Sequence, residues 1–321
     1  MPTFLLASFS PFSCLFPNSV WVVAALYYFT LLMAPSLALS TPLGIESVTR
    51  VDRTELVKLP NRLGISSRAD ACTIPSGTET PSHGDIKRGI AYTNASLINA
   101  LLSTTSGKVS WAYNWNVTDG DLDPGFMYIP TCWSDKSPDW ARHAATAISR
   151  GSDALFSFNE PDIASQAAMS PMAAVAAHID LLVPFQNRTR IAAPSISSSQ
   201  DPNQGIGWLK QFLSACAGRC AVDFCNAHWY GPGGVEGADQ FLNYLIDVRT
   251  ACGGKPVWVT EFQAIDSAEK EAEFMRHALR ELDTSPNYSF VERYAYFYFH
   301  DGFLMTGDTL NDMGQLYIST S

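Results

Sequence analysis

The sequence predicts an α/β fold closed into a barrel, and three observations carry the prediction. Short apolar segments of strand type alternate with segments of helical type, which is the pattern of a parallel sheet. Eight such strand candidates are present. Two of them end on a glutamate, where a strand gives way to a loop. Residues 86–321 match the roughly 250 residues that a (β/α)8, or TIM, barrel needs.

In chain order the strand candidates are 89–93, 108–115, 126–131, 154–159, 190–195, 223–229, 256–260 and 293–299. Most are apolar throughout, as expected for strands covered on both faces. Helical segments lie between most of them. Residues 95–105 form the first. Ser137-Pro138 reads as an N-cap with a first-turn proline, and Gly151 ends that helix. Ser170-Pro171 opens another in the same way, running towards Val183. Residues 205–216 and 237–251 supply two more. Asp266 and Glu269 form a capping-box pattern ahead of a helix running towards Asp283. One gap departs from the scheme: residues 116–125, between the second and third strands, carry no evident helix, although a parallel crossover usually needs about a dozen residues.

The segments before the barrel read differently. The chain has no Lys or Arg before Arg50, and residues 20–33 are almost wholly apolar. Small residues follow at 35–40. Residues 1–40 are therefore expected to be a signal peptide, although the basic n-region is missing. A membrane anchor over 19–39 is the rival reading; Pro35, Ser36 and Ser40 favour cleavage, leaving a mature form that does not span a membrane. Residues 41–85, rich in Ser, Thr, Pro and Gly, read as an irregular leader or linker. The expected location is secreted, extracellular or cell wall.

Of 321 residues, 46% are hydrophobic and 16% charged, ample for a core. The formal net charge of -10 argues against nucleic acid, whose phosphates would be repelled. Seven cysteines are present, and Cys14 falls in the presumed signal. Cys72, Cys132, Cys216, Cys220, Cys225 and Cys252 remain, enough for up to three disulfides whose connectivity stays open. Four N-x-S/T sequons, at Asn94, Asn116, Asn187 and Asn287, fit a secretory route.

In barrels of this type the active site lies at the carboxyl ends of the strands. Glu160 ends the fourth candidate strand and is followed by Pro161, which cannot continue a ladder. Glu261 ends the seventh. A carboxylate pair across one cleft is the machinery of glycoside cleavage. Trp115 and Trp133, after the second and third strands, are candidates for stacking on sugar rings, and Asn114 could add a hydroxyl contact. Among Tyr296, Phe297 and Tyr298, Tyr296 is taken as the cleft residue. Trp111, Trp229 and Trp258 read as core or helix-facing. The sequence holds no Gly-x-Ser-x-Gly elbow, His-Glu-x-x-His helix, phosphate loop or dinucleotide fingerprint. Cys225 lies near His228, but a disulfide accounts for it better than a thiol nucleophile.

Six segments, in order, are Trp111-Ala-Tyr-Asn-Trp115, Ser157-Phe-Asn-Glu-Pro-Asp162, Ala193-Pro-Ser195, His228-Trp-Tyr230, Trp258-Val-Thr-Glu-Phe262 and Tyr294-Ala-Tyr-Phe297. Together they resemble the fungal secreted β-1,3-glucanases of glycoside hydrolase family 128, within the large clan of retaining barrel glycosidases. That family usually has Trp where this chain has Tyr296. The resemblance implies Glu160 as general acid/base and Glu261 as nucleophile. It also implies Asn159 as donor to a sugar 2-hydroxyl, Tyr230 as the hydroxyl holding the nucleophile, and His228 as a polar substrate contact. It implies an enzyme on β-glucan working without cofactor or metal; a monomer and endo action are expected, with exo cutting left open. The rival classes are a barrel that binds glucan without turnover, and the same machinery on another β-glycan.

Overall fold

The computed structural model describes residues 86–105 and 107–320. The expected signal peptide and leader, with Cys14 and Cys72, lie outside the described residues. Parallel strands β1 (Gly89–Ala91), β2 (Trp111–Tyr113) and β3 (Met127–Tyr128) form one ladder. Strands β4 (Ala154–Leu155) and β5 (Arg190–Ile191) form a second, and β6 (Cys225–Gly231), β7 (Val257–Ala264) and β8 (Val291–Tyr294) a third. These ladders are not one continuous sheet. Single parallel bridges join them: Thr131 to Phe156, Ala192 to Phe224, and Ile196 to Ala227. Two more, Arg88 to Tyr294 and Tyr92 to Phe299, connect the first strand region with the last.

Helices α1 (Ala95–Thr105), α2 (Trp140–Ser149), α3 (Pro171–Leu181), α4 (Gly205–Cys216), α5 (Gly234–Ala251) and α6 (Ala268–Thr284) alternate with the strands. The gap at 116–125 indeed lacks a helix, so β2 passes to β3 through a loop. After β8 come a short antiparallel hairpin, β9 (Met305–Thr306) and β10 (Thr309–Leu310), and helix α7 (Asp312–Ser319). The α7 residue Tyr317 donates its hydroxyl to the Gly89 carbonyl at 2.8 Å and so ties the C-terminal end to the first strand.

Several local expectations need correction. The ladders of β2 to β5 are much shorter than the apolar runs, because their ends continue as isolated bridges rather than paired strand. Helix α2 starts later than Ser137-Pro138; Asp139, at φ 48°, precedes it and makes no side-chain cap. The cap of α6 is Ser267, which accepts from the Lys270 N–H, and not Asp266. Ser170 caps α3 as expected. Two disulfides form among the described residues, Cys216–Cys220 and Cys225–Cys252. Cys132 is a buried free thiol, pushed up to about 12 by desolvation.

Alternate strand residues divide between two apolar clusters, as the two-residue period of a strand dictates. Trp111, Tyr113, Phe156, Phe224 and Trp258 gather in one, with the Phe224 and Trp258 rings stacked at 4.1 Å. Ala112, Leu155, Val257 and Val259 face the other, with the helix residues Phe212, Phe241 and Phe274. Trp229 stacks on Phe274 at 5.2 Å and is helix-facing. Gly89 is required where β1 meets the first cluster, since a Cβ there would lie 2.2 Å from the Trp111 ring. Among the described residues, no helix is long and apolar enough to cross a membrane.

Candidate active site

Glu160 lies just beyond β4, and its backbone sits at φ 40°, a conformation that L side chains rarely adopt. Such strain persists only where the surroundings enforce it. Its N–H donates to the Ser195 carbonyl at 2.8 Å. Two residues on, the Asp162 carboxylate accepts from the N–H of Ser197 and, at 2.8 Å, of Gly205. The loop after β4 is thereby clamped to the loop after β5.

Glu261 comes from β7, where the ladder with β6 is irregular. Ala227 pairs with Val259, but His228 pairs with Glu261, so Thr260 is an extra residue opposite no partner. A bulge of this kind re-aims side chains. In a regular strand Thr260 and Glu261 would face opposite ways. Here both reach groups inside the strands. The Tyr113 hydroxyl donates to the Thr260 carbonyl at 2.5 Å and props the bulge from β2.

The two carboxylates meet across His228, and one oxygen of Glu160, one oxygen of Glu261 and a ring nitrogen of His228 all lie within 4.8 Å of one another. His228 Nδ1 is 3.0 Å from Glu160 Oε1 and 3.5 Å from Glu261 Oε1. Glu261 also accepts from Trp115 Nε1 at 2.7 Å and from the Tyr230 hydroxyl at 2.5 Å. All five side chains are buried or nearly so. The donors around Glu261 suit a carboxylate that stays ionised. Both Glu261 oxygens already accept from side-chain donors, Oε1 from Trp115 and Oε2 from Tyr230, which suits proton chemistry better than metal ligation.

Burial holds the Glu160 carboxyl above its ordinary value, outweighing the opposing hydrogen bond from His228. Burial alone would lower His228, but the adjacent Glu261 and Glu160 carboxylates hold it above its usual range. Burial and the Glu261 charge raise the Tyr230 phenol well above 10, so it remains a donor.

The structure therefore brings Trp115, Glu160, His228, Tyr230 and Glu261 into one network. Asn159, buried beside Glu160, donates from Nδ2 to Gln166 Oε1 at 3.4 Å. Trp133 is half-buried against the cluster that holds Trp115. Two candidates lie outside this network. Asn114 is consumed by its own loop, accepting from the Tyr128 hydroxyl at 2.7 Å and donating to the Thr118 carbonyl at 2.9 Å. Tyr296 turns away to the helix layer, where its hydroxyl donates to Glu271 at 2.6 Å and its ring packs on Phe262. Its neighbours Phe297 and Tyr298 instead pack against Trp115, and Phe297 against Tyr230. Asn226, Thr260 and Ser195 form a network behind His228, and none of the three has a role in the sequence analysis. Asn226 was findable, two positions before His228 on the same strand face.

An α/β frame of parallel strands that closes two buried glutamates around one histidine defines a glycoside hydrolase core, and the chain matches the family described as "Glycosyl hydrolase catalytic core" over residues 89–317. Within that class the chain belongs to glycoside hydrolase family 128. It is similar to the crystal structure of a subgroup III curdlan-specific exo-β-1,3-glucanase from Blastomyces gilchristii in complex with glucose. That match has 38% identity and a TM-score of 0.66, covering 75% of this chain and 100% of the other. A subgroup I endo-β-1,3-glucanase mutant from Amycolatopsis mediterranei, in complex with laminaripentaose, matches at 29% identity and TM-score 0.62, covering 73% and 99%. The chain is also 27% identical over 256 residues to Alkali-sensitive linkage protein 1 of Schizosaccharomyces pombe (strain 972 / ATCC 24843). That alignment covers 73% of this chain and 44% of the relative, so the chain spans less than half of that protein's length.

Proposed function

We propose that this protein is a secreted, retaining, endo-acting β-1,3-glucan hydrolase, with Glu160 as acid/base and Glu261 as nucleophile. The observation that carries the reading is the spacing of the pair. Their nearest facing oxygens lie within 4.8 Å. Retaining sites place the carboxyls about 5–5.5 Å apart, while inverting sites leave roughly 6.5–9.5 Å for a water. The bridges from Arg88 to Tyr294 and from Tyr92 to Phe299 support a ring of eight strands around that pair.

In the first step Glu160 gives its proton to the leaving glycosidic oxygen while Glu261 attacks the anomeric carbon. The C–O bond to the leaving sugar breaks and a glycosyl ester on Glu261 forms. In the second step Glu160, now ionised, takes a proton from water. The resulting oxygen attacks the same carbon and frees Glu261. The configuration is inverted twice and so retained. Trp115 and Tyr230 keep Glu261 oriented and anionic until attack. Trp133, only partly buried, supplies apolar surface for sugar rings, and the buried Phe297 and Tyr298 pack against Trp115 and hold it in place. Asn159 is assigned to the 2-hydroxyl.

Exo action is the second reading, favoured by the 38% identical exo-β-1,3-glucanase. Incubating the purified protein with laminarin and curdlan tests both. A ladder of oligosaccharides supports endo cleavage, and a single short product from the outset supports exo cleavage. Glucan that binds and stays intact would overturn the enzymatic reading.

A further inference from the structure

The network behind His228 continues through three buried polar side chains, Thr260, Asn226 and Ser195. Thr260 Oγ1 donates to Asn226 Oδ1 at 3.0 Å, and Asn226 Nδ2 donates to Ser195 Oγ at 2.7 Å. Thr260 Oγ1 also lies 2.9 Å from His228 Nε2. A threonine hydroxyl carries a single proton. Because that proton goes to Asn226, the contact with His228 requires a proton on Nε2. All four residues are almost fully buried, so water does not replace a lost partner.

We propose that Ser195, Asn226 and Thr260 are positioning residues that fix His228 as an Nε2–H donor, turning Nδ1 towards Glu160 as its partner in proton exchange. The bulge at Thr260 supports this independently, because only the extra residue allows Thr260 and Glu261 to serve the same interior. The inference rests on the reading of Glu160 as the acid. One proton then moves between Glu160 Oε1 and His228 Nδ1 without being lost to solvent. The charged groups facing His228 are Glu160 from the end of β4, Glu261 from β7 and Asp162 from the loop after β4. The Tyr230 and Tyr113 phenols approach from β6 and β2, one bonded to Glu261 and the other to the Thr260 carbonyl.

Two readouts test the relay. In the full chain labelled with 15N-histidine, His228 is assigned by difference from His228→Gln. Above its titration it should show a protonated Nε2 and a bare Nδ1. A protonated Nδ1 with a bare Nε2 would reverse the relay and overturn the proposal, whether or not the protein cleaves glucan. In the pH–activity profile, Thr260→Val should lower the basic limb by about one pH unit, since the imidazolium loses a buried acceptor. Asn226→Asp should raise that limb by adding a negative charge, and Thr260→Ser should restore the native position. Loss of kcat in every variant with no movement of the limb would mark these residues as structural and overturn the proposal.

Discussion

Trp115 donates its indole N–H to Glu261 Oε1 across 2.7 Å, so this tryptophan is an electrostatic partner of the carboxylate as well as an apolar surface. Its backbone, at φ 58°, shares with Glu160 the left-handed conformation that is costly for non-glycine residues. Trp115→Phe keeps most of the ring and removes only the donor. A hydrogen bond to a charged group contributes about 1.5–3 kcal/mol. Steady-state kinetics on laminari-oligosaccharides should therefore show kcat/KM falling roughly 10- to 150-fold. An unchanged value would mean that the bond plays no part in turnover.

The pH dependence follows from Glu160 and His228, both held above their ordinary values. The first step needs the proton on this pair, so activity should fall as pH rises through their raised values, above the usual glutamate range. Stability carries the same sign. A group whose folded pKa is raised contributes fully below its unfolded value and loses that contribution as pH rises through the folded one. Relative to Glu160→Gln, the wild-type melting temperature should therefore decline as pH rises above 4.5, the unperturbed value. Thermal melts of both proteins across pH 4–8 check this; parallel curves would contradict it.

Much of this site was legible because strands and helices announce themselves through period and punctuation. Helices α1 and α4 match the sequence reading end to end, and Ser170 is a cap in both. Glu160 and Glu261 follow from strand ends, while His228 and Tyr230 come from the family resemblance, with their two-residue spacing placing them on one strand face. The exceptions have separate causes. The bulge beside Thr260 breaks alternation, so no parity argument reaches that residue. Tyr296 is nominated by the tryptophan of the resembling family. In the structure Tyr294 and Tyr296 share the helix-facing cluster while Ala295 and Phe297 share the other, so the two-residue alternation continues past β8 and turns Tyr296 away from the cleft. Asn114 lies in a loop without a helix, where its amide donates to the Thr118 backbone carbonyl.

Tyr296 offers a direct check of that correction. Tyr296→Phe removes a buried hydroxyl bonded to Glu271 and should cost about 1 kcal/mol of stability with KM unchanged. Phe297→Ala, which strips a ring from Trp115 and Tyr230, should raise KM up to roughly tenfold. The reverse pattern would return Tyr296 to the cleft.

The two disulfides should differ in weight. Cys225–Cys252 closes a separation of 27 residues and Cys216–Cys220 one of only 4. Chain-entropy arguments give about 3.5 kcal/mol for the longer loop and about 2 kcal/mol for the shorter. Denaturant melts of Cys252→Ser and Cys220→Ser should rank in that order. An equal or inverted ranking would contradict the entropic account.

The most direct test of the central claim, that Glu160 and Glu261 act on opposite sides of one sugar bond through a covalent intermediate, is the anomeric configuration of the first product. Proton NMR of a laminari-oligosaccharide digest, followed from the first minutes, should show the β-anomer forming before mutarotation. An α-anomer appearing first would mean inversion by a trapped water, and would contradict the mechanism assigned to this pair.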